Sequence, residues 1–295
     1  MRRILSTGAN KGIGKAMVAA ALQAHDDTFV FLGSRDTNRG TDALASIVDG
    51  QPSWANRVQV LTIDVSSDAS VAQAATRVGE QLGTEPAPLY AVVNNAGVGF
   101  SAGSMKEVLD VNTLGVKRVC DAFLPLVRPD GGRIVNVTSA SGPNFVNSCR
   151  PDRQRVFLDN NIQWETIQSL MDECVAIDGG KQAFAAAGLG DGNSYGLSKA
   201  CANAYTVLLA REHPKIHINA CTPGFIETDM TRPFAQRQGK SPADMGMKPA
   251  QEGTVSTMFL LFGKLDGNGR YYGSDAKRSP MDRYRAPGTP PYDGA

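Results

Sequence analysis

Residues 7–14 read Thr-Gly-Ala-Asn-Lys-Gly-Ile-Gly and lie between an apolar segment at 3–7 and an apolar helical segment at 13–24. The glycines of this stretch permit a tight turn and a close approach of the backbone to a ligand. A helix that begins directly after such a loop presents free N–H groups and the positive end of its dipole. The stretch therefore predicts an α/β fold whose first loop binds a dinucleotide, although its GxxxGxG spacing differs from the commoner GxGxxG.

Short apolar strands and helices alternate along the rest of the chain. We predict strands at 3–7, 28–33, 58–63, 89–93, 132–137 and 216–221, a possible edge strand at 269–272, and helices at 13–24, 39–48, 70–82, 104–126, 195–211 and 250–262. Near-continuous apolar strands alternating with helices are typical of a parallel sheet that is covered on both faces. We therefore predict an α/β fold of the Rossmann type, a doubly wound parallel sheet with helices on both faces.

Two stretches depart from this alternation. Residues 143–193 have no strand pattern, and apolar residues within them recur at helical spacing over 164–177, whereas 150–155 are polar. We interpret 143–193 as a helical insertion before the helix that carries Tyr195. The tail at 279–295 is rich in proline, glycine and charge and is expected to be irregular. The remaining residues, 1–278, are expected to form a single domain.

Composition excludes several classes of partner. The formal net charge is +1, so we expect neither nucleic acid nor a membrane surface as a partner. No apolar run approaches the ~20 residues of a membrane span, and the residues before the glycine loop are too short for a signal peptide. The five cysteines form no CxxC pair and their number is odd, so we interpret them as buried or free thiols of a reducing compartment. The cytoplasm is the expected location.

A metal site is not expected. His213 and His217 are four residues apart, but Pro214 lies between them and no third ligand is evident. Metal sites in proteins usually need three or more protein ligands.

Tyr195 and Lys199 carry the strongest chemical signal. They are four residues apart, so on a helix their side chains share one face. A lysine near the phenol is expected to lower the pKa of Tyr195 from its usual value near ~10, which would make it a proton donor and acceptor near neutral pH. Ser139 follows a predicted strand upstream. Together with the dinucleotide loop, these residues predict hydride transfer at a carbonyl or alcohol group.

The end of the second strand bears on the choice of cofactor. A carboxylate there would accept a hydrogen bond from the ribose 2′-hydroxyl of NAD, but Ser34 occupies that position and Arg35 follows it. Arg35 and Lys11 could together hold a 2′-phosphate, so we predict NADP(H). Asp36 weakens the prediction, because a shift of the register would place a carboxylate at the ribose.

Five motifs occur in one order between residue 1 and about residue 230, and together they resemble the short-chain dehydrogenase/reductase family. They are TGxxxGxG at 7–14, NNAG at 94–97, a strand-end serine at Ser139, YxxxK at 195–199 and a Pro-Gly turn at 223–224. One such motif could arise by chance, whereas five in sequence are highly specific.

The resemblance implies a catalytic tetrad of Asn112, Ser139, Tyr195 and Lys199. Tyr195 would protonate the carbonyl oxygen, and Ser139 would donate a hydrogen bond to the same oxygen. Lys199 would lower the Tyr195 pKa and bind the nicotinamide ribose, and Asn112 would hold a water in a proton relay through Lys199.

The resemblance also implies a cofactor-binding set. Asp64 and Val65 would contact the adenine, Asn95 the ribose and Thr228 the carboxamide, whereas Asn94 is expected to be structural. The full predicted set is Gly8, Asn10, Lys11, Gly12, Ile13, Gly14, Arg35, Asp64, Val65, Asn95, Ala96, Gly97, Tyr195, Lys199, Pro223, Gly224 and Thr228. For the substrate, the predicted contacts are Ser139, Tyr195 and Phe225, although Phe225 could equally be a core residue.

The spacing of 56 positions between Ser139 and Tyr195 is longer than is usual in the family and resembles the monomeric NADPH-dependent carbonyl reductases. The inserted residues would cover the helix face that other members use to dimerise, so we expect a monomer. We expect reduction of ketones, aldehydes or quinones, with a small-molecule carbonyl as the only partner. The alternatives are an NAD-linked alcohol dehydrogenase with the same tetrad, and a non-catalytic regulator that binds the cofactor.

Overall fold

The computed structural model describes residues 1–99 and 103–294. Their strands form one eight-stranded sheet in the order β3-β2-β1-β4-β5-β6-β7-β8, parallel throughout except for the antiparallel pair β7 and β8. The strands are β1 (Arg2–Ser6), β2 (Thr28–Ser34), β3 (Val58–Thr62), β4 (Leu89–Asn94), β5 (Arg133–Val137), β6 (His217–Cys221), β7 (Tyr271–Tyr272) and β8 (Arg278–Ser279). The predicted doubly wound sheet is confirmed, and strand bounds differ from prediction by one or two residues.

Helices cover both faces of this sheet. They are α1 (Gly12–Ala24), α2 (Thr37–Gly50), α3 (Asp68–Leu82), α4 (Met105–Leu109), α5 (Gly115–Phe123), α6 (Ser141–Ser148), α7 (Pro151–Phe157), α8 (Trp164–Ala176), α9 (Gly180–Ala186), α10 (Ser194–Glu212), α11 (Arg232–Arg237) and α12 (Val255–Phe262). Alternate residues of each strand face opposite layers. Thus Ile4 packs with α1, α2 and α12, whereas Leu5 packs with α3, α5 and α10.

The predicted helix over much of 104–126 is confirmed as one continuous helical run from residue 105 to residue 126, with a π-helical turn inside it. It begins with a capping box between Ser104 and Glu107, but a π-helical turn at Asp110–Leu114 separates α4 from α5. Apolar periodicity does not distinguish a π-helical turn from an α-helical one, because the turn adds only one residue to the local period. The π-helical turn matters because Asn112 lies within it.

The insertion is helical, as predicted, and consists of α6 to α9. The predicted segment 164–177 corresponds to α8, and the polar stretch 150–155 lies mostly in α7, where Arg153 pairs with Glu173 of α8 at 3.0 Å. Apolar residues of these helices, including Phe157 and Met171, belong to the same core as α10. They bury α10, which is enclosed along most of its length.

The chain after β7 turns back on itself. Tyr272 and Arg278 pair across the β7–β8 turn, and β8 includes Ser279, which the sequence-based boundary placed in the tail. Residues 280–294 form neither helix nor strand, and Ala295 lies outside the described residues. Within the described ranges, no helix has the length and apolarity needed to cross a bilayer.

Candidate active site at the carboxyl edge of the sheet

A cleft of about 470 Å³ opens at the carboxyl edge of the sheet. The chain winds outward in opposite directions from the adjacent strands β1 and β4, and ligands of such sheets bind at this reversal point. Every residue of the predicted cofactor-binding set lines this cleft. The fold therefore brings together residues that are more than 200 positions apart in the sequence.

The glycine loop is shaped by close backbone contacts. Gly8 has a φ of +61°, and a Cβ on it would lie 2.7 Å from the Cα of Ala96. A Cβ on Gly14 would lie 2.4 Å from the carbonyl oxygen of Gly8. Helix α1 begins at Gly12 and has no side-chain cap. No capping side chain therefore accepts hydrogen bonds from its first N–H groups, which face the cleft. This arrangement fits the phosphates of a dinucleotide.

Asn95 and Thr7 hold this loop against the end of β4. The Asn95 amide donates to the carbonyl oxygens of Thr7 and Gly8 at 3.0 and 3.1 Å. The Thr7 hydroxyl accepts hydrogen bonds from the N–H groups of Asn95 and Ala96, both at 3.1 Å. Asn95 thus lies in the cleft with its amide already bonded to the loop. Asn94 is buried and donates to Asn136 at 2.9 Å, as expected of a structural residue.

The end of β2 presents cations to the cleft. Arg35 is exposed there, and within the described residues no carboxylate pairs with it. The Asp36 carboxylate is occupied at the start of α2, where it accepts from the N–H of Arg39 at 3.0 Å. Lys11 forms an ion pair with Asp229 at 2.8 Å. Arg39 also lines the cleft; sequence reasoning missed it, although it lies four positions after Arg35.

The other predicted cofactor residues line the remaining walls. The Asp64 carboxylate accepts from the N–H of Ser66 at 3.0 Å, which fixes the loop after β3. Thr228 lies opposite the glycine loop, with its methyl group 3.4 Å from where a Cβ on Gly12 would be. The walls of the cleft therefore come from the loops that follow several strands.

Ser139, Tyr195 and Lys199 meet in the same cleft. The Ser139 hydroxyl accepts from the N–H of Ser141 at 3.2 Å and forms a hydrogen bond with the Tyr195 hydroxyl. Lys199 is only 4% exposed; its Nζ donates to the carbonyl oxygen of Val137 at 3.3 Å and lies 5.6 Å from the centre of the Tyr195 ring. A carbonyl oxygen placed between Tyr195 and Ser139 would meet two donors.

Burial governs the proton affinities of this group. It raises the pKa of Tyr195, with the hydrogen bond from Ser139 acting in the opposite direction. The net shift of the Tyr195 pKa is therefore upward, opposite to the predicted direction, because burial is the largest effect. Burial also lowers the pKa of Lys199 to about 8, because the charged ammonium loses its hydration. Tyr195 consequently keeps its proton at neutral pH and can donate it.

Asn112 lies outside the lining of the cleft. It is fully buried, and its side-chain oxygen accepts from the N–H of Val98 at 2.9 Å. Its amide nitrogen donates to the carbonyl of Val98 at 3.0 Å and to the Ser198 hydroxyl at 3.1 Å. The side chain therefore fastens the loop after β4 to α10. A role in a proton relay stays a prediction.

Phe225 lies beside the cofactor cleft, in a second pocket of about 190 Å³ that joins the cleft at Ser139 and Gly224. The phenyl ring is 41% exposed, so it is not a core residue. Residues of the C-terminal tail complete this pocket, among them Tyr284. Sequence reasoning did not find them, because no local pattern shows that the tail returns to the site.

Comparisons with known proteins agree with this geometry. Residues 2–149 match the family model of the short chain dehydrogenases. The chain is 30% identical to the (+)-neomenthol dehydrogenase of Arabidopsis thaliana over 288 residues, which covers 85% of this chain and 93% of that protein. It is also 30% identical to carbonyl reductase [NADPH] 1 of Homo sapiens over 279 residues, covering 90% and 92% of the two chains.

The fold has close counterparts among solved structures. Salutaridine reductase from Papaver somniferum superposes with a TM-score of 0.75 at 24% identity, covering 92% of this chain and 99% of that one. At this identity the likeness concerns the fold alone.

Proposed function

Because the chain belongs to the short-chain dehydrogenase family, whose members are oxidoreductases that use a nicotinamide cofactor, we propose that it is an NADPH-dependent carbonyl reductase acting on ketones, aldehydes or quinones. The observation that carries the proposal is the meeting of Tyr195, Ser139 and Lys199 beside the glycine loop, in one cleft. Support also comes from the similarity to carbonyl reductase [NADPH] 1.

A nicotinamide held in this cleft would supply the hydride that the carbonyl carbon receives in the proposed reaction. Tyr195 gives its hydroxyl proton to the carbonyl oxygen, so that the C=O double bond becomes C–OH and the tyrosine is left as a phenolate. Ser139 hydrogen-bonds to the same oxygen and stabilises the negative charge that develops there. The raised pKa of Tyr195 suits this role, because the donor is protonated before the reaction begins.

Lys199 has a different part in the proposal. A lysine with a pKa of about 8 is largely charged at neutral pH, and the phenolate formed on Tyr195 would be stabilised by the ammonium beside it. Lys199 would also bind the hydroxyls of the nicotinamide ribose. Asn112 acts as a positioning residue, since its side chain holds α10 and the loop after β4 in register.

The choice of NADPH over NADH rests on the end of β2. A 2′-phosphate there would meet the guanidinium of Arg35, and Arg39 and Lys11 line the same cleft. The Asp36 carboxylate lines the same cleft, but its Oδ1 already accepts from the N–H of Arg39 at 3.0 Å at the start of α2, whereas an NAD-specific carboxylate would be free for the ribose hydroxyls. This occupation of Asp36 favours the reductase over the alternative of an NAD-linked alcohol dehydrogenase.

We further propose that the protein is a cytoplasmic monomer. The helices of the insertion pack on α10 and cover the face that could otherwise pair with a second subunit. All five cysteines are free and buried, which agrees with a reducing compartment.

The test is the oxidation of NADPH, with NADH in parallel, against a panel of quinones, aromatic aldehydes, α-dicarbonyls and ketones. Consumption of NADPH in preference to NADH supports the proposal. Tight binding of NADPH without turnover on any carbonyl would instead favour a non-catalytic regulator.

A further inference from the structure

Residues 228–247, which include α11, form a strap along the cofactor cleft. Its first residues line the cleft. On one side, the Thr228 methyl group lies against Gly12 of the glycine loop. On the other side, Met230 approaches the loop after β4, where a Cβ on Gly99 would lie 2.6 Å from the Met230 Cγ. The start of the strap therefore contacts the loops that follow both β1 and β4.

One ion pair fastens the strap to the glycine loop. The two ends of the strap meet at a neck, where the N–H of Glu227 donates to the carbonyl oxygen of Lys248 at 2.8 Å. Beyond this neck, Lys11 Nζ donates to the Asp229 carboxylate at 2.8 Å. Among the described residues, no other hydrogen bond joins the strap to the chain outside 225–248. The position of the strap over the cleft therefore depends on this pair.

The pair lies where a ligand can reach it. Its two side chains are 60% and 57% exposed, and both line the cleft that also contains Arg35. The hydrogen bond from Lys11 is the largest cause that lowers the pKa of Asp229. The Lys11 ammonium is thus already engaged by a carboxylate at the place where the proposed 2′-phosphate of the cofactor would need it.

A phosphate and Asp229 compete for Lys11. An ammonium has three N–H donors, but a phosphate bonded beside the carboxylate would bring like charges together. Asp229 has a second partner to which it remains bonded, since Arg232 donates to it at 2.7 Å and also donates to Glu227 at 2.9 Å. The transfer of Lys11 from carboxylate to phosphate would therefore leave no charge without a partner.

We propose that Asp229 is a built-in competitor for the cofactor 2′-phosphate: NADPH takes Lys11 from Asp229 and thereby releases the strap, whereas NADH leaves the ion pair in place. The inference rests on the proposed use of NADPH. Asp229 acts through Lys11 as a positioning residue. It lowers the affinity for ligands that carry the 2′-phosphate and links the presence of that phosphate to the freedom of the strap.

The experiment compares the binding of 2′,5′-ADP and ADP by titration calorimetry. The two ligands differ only in the 2′-phosphate and carry no nicotinamide, so the readout is independent of turnover. Asp229→Asn should tighten the binding of 2′,5′-ADP about two- to fivefold, the usual strength of an exposed ion pair, and leave that of ADP unchanged. Glu227→Gln is the matched control, because it makes the same charge change on a partner of Arg232 that does not line the cleft. It should alter the binding of neither ligand.

Amide hydrogen exchange, followed by mass spectrometry, measures the freedom of the strap. Saturating 2′,5′-ADP should speed exchange at 228–247 in the wild type, and ADP should not. Asp229→Asn should exchange faster at 228–247 without any ligand. Equal tightening of both ligands by Asp229→Asn, the same effect from Glu227→Gln, or unchanged exchange with 2′,5′-ADP would overturn the proposal.

The outcomes also separate this proposal from the proposed function. Selective effects of Asp229→Asn in a protein that reduces no carbonyl would refute the reductase and leave the competition standing. Carbonyl reduction with NADPH, combined with equal effects of Asp229→Asn on both ligands, would refute the competition alone. If neither the wild type nor Asp229→Asn distinguishes 2′,5′-ADP from ADP, both the NADPH preference and the competition are wrong.

Discussion

The side-chain nitrogen of Lys199 lies 5.6 Å from the centre of the Tyr195 ring, one helical turn further along α10. Lys199 is buried and Tyr195 is partly buried, and burial shifts their proton affinities in opposite directions. The phenol holds its proton more tightly, and the ammonium holds its proton less tightly. In the proposed mechanism, Tyr195 would therefore lose its proton only when an acceptor oxygen arrives.

Replacing Lys199 by Met should stabilise the protein at neutral pH and abolish turnover. The pKa of Lys199 is about 8 in the folded state against a usual value of 10.5, so the folded state binds fewer protons between pH 8 and 10.5. Lys199 therefore destabilises the folded state by its full amount below pH 8. This destabilisation disappears as the pH rises from 8 to 10.5. We expect Lys199→Met to gain about 1–3 kcal/mol at pH 7.

Thermal unfolding from pH 7 to pH 10.5 measures this gain. The advantage of Lys199→Met should shrink as the pH rises. A variant that is less stable than the wild type at pH 7, or whose difference is independent of pH, would show that Lys199 is not a destabilised ammonium.

Replacing Arg35 by Asp should change the cofactor preference. Loss of a charge-assisted contact to the 2′-phosphate, with a carboxylate in its place, should raise KM for NADPH about ten- to 100-fold and leave KM for NADH much less affected. Steady-state kinetics with both cofactors measure the effect. Arg77→Asp, on the exposed side of α3, makes the same charge change away from the cleft and serves as the control. Equal effects on both cofactors would contradict the role of Arg35.

Replacing Gly14 by Ala should damage the cofactor loop. The added Cβ would lie 2.4 Å from the carbonyl oxygen of Gly8 and 2.5 Å from the Asn95 amide, so the loop must shift. We expect NADPH binding, followed by fluorescence, to weaken about tenfold or more, in line with the ~1–3 kcal/mol that overpacking costs. Gly50→Ala, where a Cβ meets nothing within 4 Å, should leave binding unchanged. Unchanged binding by Gly14→Ala would count against the loop as the phosphate site.

The protein should sediment as a monomer. The α10 face that would pair with a partner is covered by apolar residues of the insertion, including Phe157, Leu170 and Met171. Analytical ultracentrifugation over a range of micromolar concentrations should give a mass near 31.3 kDa. A mass of twice that value would show that the insertion leaves a dimer surface open.

Local patterns in the sequence were enough to predict the sheet and the glycine loop. Strands such as β4 are apolar throughout most of their length. The glycines at 8 and 14 occur where a side chain would lie too close to Ala96 and to the carbonyl oxygen of Gly8, respectively. Motif order likewise indicated which polar residues would come together, because the carboxyl ends of parallel strands meet at one edge.

Features that depend on long-range contacts could not be predicted in this way. The π-helical turn at Asp110–Leu114 has no apolar signature of its own, and the use of Asn112 depends on Val98 and Ser198. The direction of the Tyr195 pKa shift depends on how deeply α10 is buried, not on the presence of Lys199 four residues away. The tail looked irregular from its composition, but the ion pair of Arg285 with Asp275 fixes its course.

The central claim is that Tyr195 is the proton donor in an NADPH-dependent carbonyl reduction. The most direct test follows the loss of NADPH absorbance with the best carbonyl substrate for the wild type and for Tyr195→Phe, with NADPH affinity measured in parallel. The variant lacks only the hydroxyl, so turnover should fall by about 10²–10⁴-fold, the usual contribution of a general acid, while NADPH affinity stays within a few-fold. Turnover that survives the substitution would contradict the mechanism.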